Sequence, residues 1–187
     1  MSDSSPSELL AMLEVLETPA PAPVKPDLLF KPKEFKLLAM RECVLPPDCV
    51  ECNSPDTAAH YWLANIQGYY PFDPDVECLT EILLNTRLRP MGHVFVAKGT
   101  LDMVVTQPRE IFRPAIVGAA KSIVLIHNHP SGDPTPSRGD IKCTQQLCRA
   151  GMIVGIRVLD HIVMGKPSAA NSAGFSSIRQ LGLLKGM

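Results

Sequence analysis

The sequence predicts an α/β fold, a mixed sheet flanked by helices. Segments of strand character at 76–86, 92–98 and 156–164 alternate with helical patterns at 54–67, 107–120 and 137–150, the order that packs helices on the faces of a sheet. The run Ile123–Ile126 is wholly apolar, with three of its four residues β-branched, and reads as a strand buried on both faces. A hydrophobic fraction of 45% in 187 residues is ample for one core.

In chain order, residues 5–17 read as a short helix. Ser5 and Glu8 make a capping box, Pro6 takes the first helical position, and Leu9, Leu10, Met12, Leu13 and Leu16 form one apolar face. A helix this short is marginal alone, so the expectation is that it docks on a partner chain or on the domain's own surface. Residues 18–34 carry five prolines and no periodicity, as an extended linker does. Residues 1–34 are therefore read as a tail, and 35–187 as the domain. Residues 35–45 read as a first strand, ended by Pro46, Pro47 and Asp48. Ser54 caps the helix that follows, with Ala58, Trp62 and Ile66 on its apolar face and Trp62 a core aromatic.

The strand at 76–86 turns at 87–91 and pairs with 92–98 as a hairpin. In the helix at 107–120, Arg109, Glu110 and Arg113 point outward, and Ile111, Phe112, Ile116 and Val117 inward. Ser137 caps the helix that runs to Ala150, and Gly151 is its expected C-cap. After the strand at 156–164, an edge strand is expected near 175–178.

The net charge is −1, with no Lys/Arg cluster, so the electrostatic footprint of a nucleic-acid binder is missing. No apolar run of membrane-spanning length and no signal-peptide pattern occurs in the sequence. These features lead to the expectation of a soluble, cytoplasmic protein. Six cysteines are scattered, and Cys49-Val-Glu-Cys52 lacks the second pair that a structural zinc site requires. They read as incidental thiols in a reducing compartment.

The chemistry concentrates after Ile126. In an extended chain residues two apart share a face, so His127 and His129 project together, within reach of one metal ion. Pro130, Gly132, Pro134 and Pro136 force a rigid turn. Asp140 then stands at the third helical position after the Ser137 cap, where a carboxylate suits the helix dipole. Two histidines and one carboxylate with a position left for water are the ligand set of a catalytic zinc site.

His127-x-His129-Pro130 followed by Ser137-x-x-Asp140 resembles the JAMM (MPN+) metalloprotease motif. The fuller string, His-Asn-His-Pro-Ser-Gly-Asp-Pro-Thr-Pro-Ser at 127–137 with Leu159-Asp160-His161-Ile162 before Gly165, is similar to the bacterial RadC branch. Gly139 departs from a Glu that is frequent there, at a position that is not a ligand. The resemblance implies an MPN fold akin to cytidine deaminases, a zinc ion on His127, His129 and Asp140, and hydrolysis of a peptide or isopeptide bond in a protein substrate. It implies Glu77 as general base and Ser137 as stabiliser of the oxyanion. Asp160 and His161 match a pair in that branch, and buried polar structure is the favoured reading of both. Full-length members carry a helix-hairpin-helix module that nothing in residues 1–60 resembles, which weakens any DNA connection. The alternative function is a non-enzymatic zinc-binding MPN scaffold or DNA-repair accessory.

Glu81 competes with Glu77 for the role of base. On one strand the two share a face, about 13 Å apart. Glu81 lies between Thr80 and Ile82, where a buried carboxylate is costly unless paired, so a solvated or salt-bridged side chain is expected. A deaminase is excluded because His-x-Glu and Pro-Cys-x-x-Cys are absent.

Overall fold

The computed structural model describes residues 51–99 and 107–184. The expected helix at 5–17, linker at 18–34 and strand at 35–45 lie outside them. Helix α1 (Pro55–Asn65) opens on a reciprocal cap: the Ser54 hydroxyl accepts from the Thr57 amide at 3.2 Å, and the Thr57 hydroxyl accepts from the Ser54 amide at 3.1 Å. Ala58, Trp62 and Ile66 are buried as expected, and Trp62 meets Phe72 edge-on with centroids 5.5 Å apart.

Strands β1 (Cys78–Leu84) and β2 (Pro90–Lys98) form the hairpin. Its turn is pinned by the Asn85 side chain, which accepts from the amides of Arg87 and Arg89 at 2.8 and 3.1 Å. Helix α2 (Pro108–Val117) stops short of residue 120 at Gly118, where Leu83 Cδ1 would lie 2.8 Å from an added Cβ. Its buried residues are Ile111, Phe112 and Ala115; Ile116, expected inward, is 55% exposed. The inward stripe runs 111, 112, 115, and the next position falls on the solvent flank.

Strand β3 (Ser122–Asn128), helix α3 (Arg138–Val154), strand β4 (Arg157–Met164) and the short strand β5 (Phe175–Ser177) complete the element order. The sheet runs β2-β1-β3-β4-β5, antiparallel throughout except for the parallel pair β3–β4. This is the mixed α/β sheet that the sequence predicts. Helix α3 passes Gly151 and ends at Gly155, which holds the left-handed cap at φ 74°. Gly151 serves packing instead: an added Cβ would sit 2.4 Å from the Ile156 carbonyl and 3.2 Å from the Phe112 ring. No described helix is long and apolar enough to cross a membrane.

Both faces of the sheet are covered. Val124, Ile126, Ile82 and Ile162 pack with α1, whereas Ile123, Leu125, Leu79 and Leu83 pack with α2 and α3. Glu81 lies on this second face, paired with Leu125 on one side and Val94 on the other. It is fully buried, and neither carboxylate oxygen has a hydrogen-bond partner among the described residues. The expected solvated or ion-paired side chain is thereby corrected. Burial pushes its pKa up to about 8, so the neutral acid occupies the core at neutral pH.

This group predicts a pH slope. Its folded pKa is raised above the ordinary 4.5, so the folded state holds a proton that the unfolded chain releases. The stability this group contributes should be greatest below pH 4.5 and fall as pH rises toward 8. Glu81→Val should flatten that slope and raise the unfolding free energy by about 1–3 kcal/mol at neutral pH. Chemical denaturation at several pH values measures both, and a destabilised variant would contradict the account.

Candidate metal centre

The alternation of β3 places His127 in the row of Ile123 and Leu125, under α3, with its ring almost fully buried. His129 lies one step past the strand, held by its amide donating to the Met164 carbonyl at 2.8 Å. The two rings meet with Nε2 atoms 3.1 Å apart. His129 Nδ1 lies 2.8 Å from the Asp133 carbonyl. A carbonyl only accepts, so this nitrogen carries a proton, and Nε2 is bare whenever the ring is neutral. The loop between is fastened to the end of β4 by the Lys166 amide donating to Gly132 at 2.7 Å, with Gly132 at φ 83°.

Asp140 reaches the same point through the helix cap. The Ser137 hydroxyl accepts from the Asp140 amide at 3.1 Å, and Asp140 Oδ2 accepts from the Ser137 amide at 2.7 Å. That box aims the carboxylate inward. Oδ1 lies 3.5 Å from His127 Nε2, and Oδ2 lies 3.5 Å from His129 Nε2. The donor atoms of all three residues fall within 4.8 Å of one another. Ligands about 2.0–2.1 Å from a tetrahedral ion are spaced by about 3.3–3.4 Å; each imidazole has one of the two carboxylate oxygens at close to that spacing, near enough for the three residues to share a single divalent cation. The group could hold a metal ion, and its two imidazoles and one carboxylate suit zinc-like ions.

Electrostatics match a cation site. Burial, then the neighbouring His161, holds His127 well below the ordinary imidazole range. Asp140 raises His129 by hydrogen bonding, against a smaller opposing effect of burial. Burial would raise the Asp140 pKa, but His129, His127 and the Ser137 cap together hold it well below the usual carboxylate value.

Around this centre lie Glu77, the base that the family resemblance implies, and groups that sequence reasoning left out of the site. Glu77 is buried just ahead of β1, with Oε1 3.8 Å from His129 Nε2. Asn128, on the opposite face of β3 from His127, accepts from the Cys78 amide at 2.9 Å and donates to the Val76 carbonyl at 3.0 Å. Its amide thus clamps the chain on both sides of Glu77. The signal for it was a polar residue inside a strand buried on both faces. His161 Nε2 lies 2.8 Å from His127 Nδ1, and Thr144, one helical turn after Asp140, touches the other nitrogen of His161 at 2.6 Å. Burial pushes His161 down to about 4. Asp160, on the other face of β4, accepts from Ser177 at 2.5 Å and from the backbone of His161 and Arg179, a structural tie at the start of the C-terminal segment.

A profile of the RadC-like JAB domain matches residues 52–183. The chain belongs to that family. Among curated relatives, a UPF0758 protein of Desulforamulus reducens is 46% identical over 112 residues, covering 60% of this chain and 47% of the relative. One from Symbiobacterium thermophilum is 44% identical over 111 residues, 59% of this chain and 45% of the relative. One from Desulforudis audaxviator is 50% identical over 91 residues, covering 49% and 40%. The chain spans about half the length of the curated relatives it matches. The JAB match covers the His127, His129 and Asp140 cluster and both of its supporting helices and strands.

Purified protein should bind about one divalent ion per chain. His127→Ala should abolish binding and Cys49→Ala should leave it intact, as read by elemental analysis; the reverse pattern would move the metal elsewhere. Ligation requires neutral imidazoles. His129, with its raised pKa, protonates first as pH falls, while Asp140 stays ionised. Metal affinity should therefore weaken as pH falls, beginning above the ordinary imidazole pKa, with occupancy at limiting metal following it.

Proposed function

We propose that this RadC-like JAB domain is a zinc-dependent metallohydrolase cleaving a peptide or isopeptide bond. The observation that carries the reading is the carboxylate of Glu77 at 3.8 Å from His129 Nε2, beside the three-residue cluster. A zinc ion held by His127, His129 and Asp140 would polarise the scissile carbonyl and bring a water's pKa toward neutrality. Glu77 takes the proton of that water and delivers it to the leaving amine. The Asn128 clamp fixes the backbone on either side of Glu77, so the base meets the reacting water in one geometry. Ser137 Oγ accepts from the Asp140 amide, which leaves its own proton to donate to the developing oxyanion. In this reading the substrate is a protein or peptide, and the amphipathic stretch at 5–17 serves partner docking.

A zinc-binding scaffold or DNA-repair accessory is the rival reading, and it has no use for a carboxylate held beside the ligands. Glu77→Gln keeps the shape and removes the base. Metal content should survive, and turnover on a peptide and isopeptide panel should drop by on the order of 10²–10⁴-fold. The same variant should trap substrate in co-purification. Full activity in Glu77→Gln together with loss in Glu81→Gln would overturn the choice of base. A metal-loaded wild type that cleaves nothing and traps nothing would favour the scaffold.

A further inference from the structure

The protons around His127 can be placed from geometry alone. Thr144 Oγ1 lies 2.6 Å from the Asp140 carbonyl oxygen and 2.6 Å from His161 Nδ1. A carbonyl cannot donate, and two oxygens that close share a proton, which must be the hydroxyl's own. Thr144 then has nothing left to give His161, so His161 Nδ1–H donates to it. His161 is only 4% exposed, and its nitrogens face a hydroxyl and a second imidazole, with no carboxylate on either. A buried imidazolium in that place would be uncompensated. The ring is neutral, and its Nε2 accepts. His127 Nδ1, 2.8 Å away, is therefore the donor. His127 is 2% exposed, and burial disfavours a charged ring there too; a neutral imidazole carries one N–H, so His127 Nε2 is bare.

We infer that His161 and Thr144 are positioning residues that lock His127 in the tautomer whose Nε2 faces the metal, with the chain of donors anchored on the backbone carbonyl of Asp140. The relay closes a ring: one ligand residue, through its main chain, dictates the proton position on another. It leaves His127 Nε2 bare, 3.1 Å from His129 Nε2 and beside an ionised carboxylate, a lone pair that a cation completes. His129 donates through Nδ1 to Asp133, so once that ring is neutral its Nε2 is bare as well. The inference rests on the metal-ligand reading of His127, and it assigns function to a pair that buried polar packing alone would not require to run in one direction.

The test reads tautomers and metal affinity separately. In long-range ¹H–¹⁵N spectra of the metal-free protein, His127 and His129 should both be Nδ1–H. In His161→Phe, His127 should lose that form, and zinc affinity measured against a chelator should fall by about 10–100-fold. His161→Gln, whose amide can accept from His127 and donate to Thr144, should restore most of the affinity. Thr144→Val should weaken zinc in the same direction and Thr144→Ser should restore it, a pair that decides the matter if His161→Phe does not fold. An Nε2–H tautomer at His127 in the wild type overturns the relay, as do His161→Phe or Thr144→Val proteins that bind zinc as tightly as wild type. Absence of zinc binding in the wild type sinks the metal reading, and the tautomer spectrum still decides the relay.

Discussion

Everything in this domain hangs on the two-residue repeat of β3. The strand is buried on both faces, so each residue is assigned to one core or the other. Ile123, Leu125 and His127 go to the α2–α3 side, and Val124, Ile126 and Asn128 to the α1 side. A slip of one residue would exchange both sets, so the apolar residues that stabilise the sheet also fix which side the first ligand takes. Antiparallel pairing with β1 and parallel pairing with β4 hold that register from both edges. Packing and site geometry are one constraint here.

The same burial governs the charges. Desolvation keeps His127 and His161 neutral, and His129, His127 and the N-terminal cap of α3 together keep Asp140 ionised. The result is a small polar enclave that is short of positive charge, sealed beneath a helix. Glu81 shows the opposite outcome of burial. It shares the α2–α3 core but lies outside the enclave's hydrogen bonds, so it resolves its desolvation by holding a proton.

Local rules carried most of the fold. The caps at Ser54 and Ser137, the Asn85 turn region and the apolar run of β3 each declare themselves within a few residues, and so did the three residues of the metal cluster. The misses came from packing that no local pattern encodes. Gly151 sits where a C-cap glycine could end α3, yet the approach of Phe112 and Ile156 is what requires it. Ile116 was placed inward by periodicity, while the actual stripe is narrower. Glu81 carries no local sign that the sheet closes over it. Asn128 and Thr144 act across 50 and 17 residues of chain respectively, and no periodicity encodes a partner that far away. His161 was visible as a motif residue, but the direction of its hydrogen bonds exists only in three dimensions.

The Asn128 clamp has a thermodynamic corollary. Because one tripeptide at the end of β3 supplies both imidazoles and also grips the chain around Glu77, the distance from proposed base to cluster is set between two neighbouring strands. The reacting groups are assembled during folding, so little ordering entropy remains to be lost when substrate arrives. The same economy ties function to cohesion. Fraying at the start of β1 would separate the proposed base from the His127, His129 and Asp140 cluster before the core itself loosened, so heating should disperse the three-residue cluster and Glu77 ahead of global melting.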